Sequence, residues 1–146
     1  MTYKSIELFE DDWFAMIVMN RPERRNALSL DHMQELVHAF RTVGAGKCRG
    51  VILAANGPVF SAGHDFSDMA GRNLNDMRAL LSTCTELMTT MQSIPQPVIA
   101  RVHGLATAAG CQLVATCDLA VASEKAYFAT PGGKGGWFCT TPMVAV

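Results

Sequence analysis

The chain has 146 residues, 49% of them hydrophobic and 17% charged, with a net charge of −1. That composition supports one packed domain and excludes a disordered chain. It shows no Lys/Arg cluster of the kind a nucleic-acid binder needs, and no apolar run near the ~20 residues of a membrane span.

Ile6 and Leu8 alternate with polar residues, Glu10-Asp11-Asp12 interrupts them, and Phe14 to Met19 resumes as an apolar run. This predicts a hairpin of two strands, ended by Arg21-Pro22. Ser29 can cap a helix, with Asp31 in the first turn. Leu30, Met33, Leu36, Val37 and Phe40 then make one apolar face, and Gly44 and Gly46 end it. Val51 to Ala55 reads as a buried strand, and Asn56-Gly57-Pro58 as a loop. A second long helix is expected from about Asn75 to Ser93. Its buried face would be Met77, Leu80, Leu81, Cys84, Leu87, Met88 and Met91, with Pro95 and Pro97 beyond its end. Val98 to Val102 is a strand, Ala106 to Ala115 is helical by its small residues, and Leu119 to Ala122 and Tyr127 to Ala129 are short strands. Alternating strands and helices imply mostly parallel pairing.

The five cysteines (Cys48, Cys84, Cys111, Cys117 and Cys139) are odd in number and contain no Cys-x-x-Cys pair, so they read as buried free thiols. The histidines show no metal-ligand spacing, and no metal is expected. Phosphate-loop readings fail. The position where a Walker motif needs its first glycine is Arg41 before Gly46-Lys47, and Phe128 before Gly133-Lys134. Neither a dinucleotide fingerprint nor a G-x-S-x-G elbow occurs. Residues Met1 to Phe9 carry Glu7 and no long apolar stretch. They read as neither a signal peptide nor an Arg-rich presequence, and a cytoplasmic protein is expected.

Three segments carry chemistry. They are Asn20-Arg21-Pro22 with Asn26-Ala27-Leu28, then Phe60-Ser61-Ala62-Gly63-His64-Asp65, then His103-Gly104 through Ala108-Ala109-Gly110-Cys111 with Cys117-Asp118. The second is a strand end entering a small-residue turn, where glycine lets backbone approach a ligand. The third is a strand, a turn and a helix start, whose free N–H groups attract negative charge. Two such donors aimed at one point would stabilise an oxyanion. The same small residues also suit tight helix–strand packing, and spacing alone does not choose.

In this order and spacing the segments resemble the crotonase (enoyl-CoA hydratase/isomerase) family, from about Ser5 to Pro131. The resemblance implies an α/β, crotonase-like spiral of ββα units with mostly parallel sheets. Residues 1–146 would be its acyl-CoA-binding core without the C-terminal helical part, as if truncated after the apolar run Pro142 to Val146. It implies an acyl-CoA thioester as ligand, fatty acid metabolism as setting, and no cofactor beyond the coenzyme A of the substrate. It also implies a homotrimer or hexamer. His64 and Ala109 would donate the oxyanion-hole N–H groups. Arg25 and Ala27 would hold the CoA moiety, and Ala62, Asp65, Phe66, Ala108 and Pro131 would line the same pocket. The His64 ring can reach toward a substrate carboxylate.

Two positions depart from the pattern. Family hydratases carry glutamates where this chain has Gln112 and Gly132. Glutamine cannot act as a general base at neutral pH, and glycine has no side chain. General acid–base catalysis contributes about 10²–10⁴-fold, so ordinary hydration should be nearly lost. This double change resembles a divergent subgroup sharing the Ala-Thr-Ala-Ala-Gly-Cys-Gln run. Asp68, Thr130, Lys134 and Cys139 are candidate replacements by proximity in sequence. Two functions follow: an acyl-CoA-processing enzyme, or a non-catalytic acyl-CoA-binding or scaffolding relative.

Overall fold

A computed structural model of the chain describes residues 2–136. Ile6–Glu10 (β1) and Ala15–Met19 (β2) form the expected antiparallel hairpin, with Ile6 opposite Met19. Asp11 shapes its turn, its carboxylate accepting the Trp13 and Phe14 amides. Val51–Ala55 (β3), Val98–Val102 (β5) and Leu119–Ala122 (β7) add in parallel, giving the order β1-β2-β3-β5-β7. Val59–Ser61 (β4), Leu105–Thr107 (β6) and Tyr127–Ala129 (β8) form a second, parallel sheet in the order β4-β6-β8. Beyond the hairpin, each later pair of strands sends one strand to each sheet, with a helix between successive pairs, which is a spiral of ββα units.

The helices form where caps and apolar stripes coincide. Leu30–Gly44 (α1) starts at Ser29, whose hydroxyl accepts the His32 amide at 3.2 Å. Met33, Leu36, Val37 and Phe40 face the core as expected. Leu74–Ser93 (α2) starts at a reciprocal capping box between Asn73 and Asp76. It ends where Ile94, ahead of Pro95, turns extended. The core gathers Ile17, Leu36, Phe40, Leu53, Phe60, Leu87 and Met91 from both sheets and both long helices, all fully buried. Each is worth about 1.5–3 kcal/mol of transfer free energy.

Two expectations are corrected. Leu81 is exposed, because Leu80, Cys84, Leu87 and Met91 define the inward line and Leu81 sits one residue around the helix from it. Ala106 to Ala115 is not one helix. Leu105–Thr107 is β6, paired with β4 and β8, and the helix (α3) spans only Ala109–Thr116. Sheet pairing on both sides overrides the helical propensity of alanine there.

Cys48, Cys84 and Cys111 are buried and Cys117 is half-buried. Burial pushes the Cys84 thiol up to about 11 and Cys117 up to about 12. Such thiols stay protonated and unreactive. Cys139 lies outside the described residues.

Candidate active site

The site forms where β4 runs out beside the start of α3. After Ser61 the chain passes Ala62 and turns at Gly63, with φ +85°. Gly63 and Asp65 then bracket Leu28 as a short parallel bridge. The Leu28 amide donates to the Gly63 carbonyl at 2.7 Å, and the Asp65 amide donates to the Leu28 carbonyl at 3.1 Å. In a strand-like segment successive amides point to opposite edges. The His64 N–H therefore projects away from Leu28.

α3 supplies the facing edge. Ala108 precedes it at φ +51°, ψ −124°, a conformation rare for a residue with a side chain. The Ala108 amide donates to Ala129 of β8 at 2.9 Å, and its carbonyl accepts the Cys111 and Gln112 amides. The Ala109 N–H belongs to the first turn, where no preceding carbonyl of the helix can reach it. Gly110 lies directly on Ser61, with a position for a side chain only 2.5 Å from the Ser61 carbonyl oxygen. A methyl group on Gly63 would lie 3.1 Å from the Ala109 nitrogen. The segments bearing the His64 and Ala109 amides are thus in van der Waals contact.

The loop between Asn20 and Ser29 closes one side of this junction. Asn26, fully buried, donates to the Asn56 and Val59 carbonyls at 2.8 and 2.9 Å and accepts the Arg21 amide at 2.8 Å. Arg21 donates to the Ala27 carbonyl and the Ser29 hydroxyl. Arg25 is exposed, in the left-handed region, and its carbonyl accepts the Ala62 amide. Ala27 is buried, with its carbonyl accepting from Arg21 and bonded to the His32 ring.

The Asp65 side chain is 5% exposed, paired with Arg24 at 2.9 Å and Arg21 at 3.5 Å. Burial alone would raise its pKa. The Ser67 hydroxyl, Arg24 and the Ser67 amide outweigh that and hold it at about 2. The His64 ring is largely buried and neither nitrogen has a well-formed hydrogen bond among the described residues. Burial pushes its pKa below the ordinary value, against a smaller opposing influence of the Leu28 backbone.

Among the remaining expected residues, Phe66 is exposed, Ala62 and Ala108 are half-buried, and Gln112 is buried with no partner for its amide oxygen among the described residues. Pro131 and Gly132 lie in a 3-10 turn, Pro131–Gly135, shortly after β8. Asp68 accepts the Leu30 amide at 2.8 Å and so completes the start of α1. Thr130 and Lys134 make no polar contact with the His64–Ala109 junction. A shallow groove at the carboxyl ends of β3, β5 and β7, lined by Asn56, Arg101, His103 and Ser123, is separate from it. Sequence reasoning missed Arg24 and did not foresee the brace role of Asn26. An ion pair across the fold has no fixed spacing, so no local signal pointed to Arg24.

The enoyl-CoA hydratase/isomerase family pattern matches residues 11–145. The zebrafish (Danio rerio) protein named enoyl-CoA hydratase domain-containing protein 3, mitochondrial, is 49% identical over 89% of this chain and 46% of its own length. Its human (Homo sapiens) counterpart is 45% identical over 92% and 45%. The chain thus spans about half the length of the curated relatives it matches. Among solved structures, an enoyl-CoA hydratase of Mycobacterium smegmatis superposes with a TM-score of 0.94 at 44% identity, over 98% of this chain and 57% of that one. Human enoyl-CoA hydratase domain-containing protein 3 does so with 0.93 at 42%, over 97% and 57%. The crotonase-like fold expectation is borne out. The cytoplasmic expectation is overturned, since these curated relatives are named mitochondrial. A targeting segment is an address read by a receptor, and the composition of a folded core carries no trace of it. This chain belongs to the enoyl-CoA hydratase/isomerase family.

Proposed function

We propose that this chain carries the thioester-recognition part of an acyl-CoA-handling protein. The His64 and Ala109 N–H groups donate to the thioester carbonyl oxygen and stabilise the negative charge that develops there. The close approach of Gly63 to the Ala109 nitrogen supports this reading, because it sets the segments that bear the two donors side by side. One donor of this kind is typically worth about 3 kcal/mol in the transition state. Arg25 and the backbone around Ala27 hold the CoA moiety, with Ala62, Phe66, Ala108 and Pro131 around the acyl end. No separate cofactor or metal takes part. The relatives' names support a mitochondrial setting, and the family resemblance supports fatty acid metabolism and a homotrimer or hexamer.

A second reading has a specific motive. Gln112 and Gly132 stand where the family's hydratases carry glutamates. The Gln112 amide can orient a water but cannot take its proton. The protein would then bind and polarise acyl-CoA with little or no hydration.

Calorimetry on the full-length protein, comparing acyl-CoA with free CoA, tests the shared claim. No preference for the thioester would sink both readings. Turnover of a panel of enoyl- and carboxyacyl-CoAs separates them. Binding without turnover supports the non-catalytic reading. Hydration gained on Gln112→Glu with Gly132→Glu would identify an intact pocket that lacks only its acid–base pair.

A further inference from the structure

We propose that Asp65 is a positioning residue. Its ion pairs with Arg21 and Arg24 lock the loop carrying the His64 amide to the loop carrying Arg25 and Ala27, so that both ends of one ligand are held in register. This rests on the thioester-binding reading above and goes beyond it by naming what orients the His64 donor.

The bonds fall into two sets. Backbone links fix the flanks: the Ala62 amide to the Arg25 carbonyl, Leu28 to Gly63, and Asp65 to Leu28. The Leu28 bond to the Gly63 carbonyl also holds the peptide unit that carries the His64 N–H, from its carbonyl side, and leaves the N–H to a ligand. The next restraint along the chain is the Asp65 carboxylate. Oδ1 accepts from Arg24 at 2.9 Å, from the Ser67 hydroxyl at 2.7 Å and from the Ser67 amide at 3.1 Å. Oδ2 faces Arg21 at 3.5 Å. Arg24 also reaches the Ser67 hydroxyl at 3.1 Å, and Arg21 also holds the Ala27 carbonyl at 3.1 Å and the Ser29 hydroxyl at 2.8 Å. One buried carboxylate therefore ties the turn after His64 to two arginines from the opposite loop, and one of these grips the backbone of Ala27.

This pair, with Asp65 buried and the Arg24 side chain half-exposed, contributes little net stability, since solvent screens the attraction and desolvation of the carboxylate offsets it. It does fix geometry, because bonds from several donors admit one arrangement of the two loops. A reacting group misplaced by about 1 Å can cost up to about 10²-fold in rate.

The test uses the full-length protein and cinnamoyl-CoA, whose absorption moves to longer wavelength when its carbonyl is polarised. Asp65→Asn keeps the shape and removes the charge. The expected result is a red shift, read at saturation, that falls by about half or more. The preference for the thioester over free CoA should fall roughly tenfold. Saturation separates positioning from affinity, because a general weakening would leave the shift intact. A folded Asp65→Asn protein with an unchanged shift overturns the proposal. If that variant does not fold, Arg24→Ala decides by the same two outcomes, since it leaves Asp65 bonded to Arg21 and Ser67. No red shift in the unsubstituted protein would refute the thioester reading itself, which keeps the two failures distinct.

Discussion

Gly63 and Ala109 approach so closely that a methyl group on Gly63 would sit 3.1 Å from the Ala109 nitrogen and 2.9 Å from the Ala108 methyl carbon. The glycine is required twice, by that approach and by its φ of +85°. The contact joins the end of one sheet's strand to the start of a helix, and it forms the rim of the proposed thioester site.

Gly63→Ala should therefore destabilise the fold by about 2–4 kcal/mol, combining left-handed strain with overpacking. It should also abolish the preference for acyl-CoA over CoA. Chemical denaturation and calorimetry measure the two effects. A denaturation midpoint equal to the parent's would contradict the close approach.

Ala108→Gly should act in the opposite direction. Ala108 holds φ +51° and ψ −124°, where a side chain costs on the order of 1–3 kcal/mol. The added freedom of glycine in the unfolded chain offsets part of the relief, about 0.4–1 kcal/mol. A net gain of about 1 kcal/mol is expected. A lower melting temperature would mean that the Ala108 methyl packs more favourably than its backbone is strained.

Asn26→Ala removes a side chain that satisfies Arg21, Asn56 and Val59 backbone groups from a fully buried position. Leaving those groups unpaired should cost about 3–5 kcal/mol. Asn26→Asp should not rescue it, because a carboxylate cannot donate to the two carbonyls. Denaturant titration of both variants checks this, and near-parent stability in either would refute the brace.

Stability should fall as acid is added, because of His32. Burial pushes its pKa down to about 4, helped by Arg21 and opposed by the hydrogen bond with Ala27. Above the unfolded value near 6.5 the ring is neutral in both states and has no effect. Between 6.5 and about 4 the unfolded chain takes up a proton that the folded chain refuses, so stability drops with falling pH, by about 3 kcal/mol in all. Below about 4 the loss levels off. His64 shifts in the same direction and adds to it. His32→Gln should flatten the curve of stability against pH across this window. An unchanged slope would mean that His32 is not its source.

Much of the local structure was legible from residues. The Ser29 cap, the α1 stripe and the stop before Pro95 each follow from neighbours within a few positions. The two misreadings have different causes. Leu105–Thr107 looks helical by composition and becomes a strand because β4 and β8 pair with it from distant positions. Leu81 carries an apolar side chain, yet the inward line of α2 passes beside it.

The candidate site divides in the same way. The sequence by itself determined which segments hold small residues and a helix start, that glutamine and glycine stand at positions 112 and 132, and through family resemblance that His64 and Ala109 are the donors to examine. Only the tertiary structure decided that these segments meet, that Leu28 occupies one edge of the His64 segment, and that Asp65 is tied to Arg21 and Arg24. The reason is physical. Caps, turns and periodicity depend on bonds between near neighbours, which spacing encodes. The meeting of β4 with α3, and of a buried carboxylate with two arginines, depends on the packing of segments far apart in the chain, and no local pattern contains it.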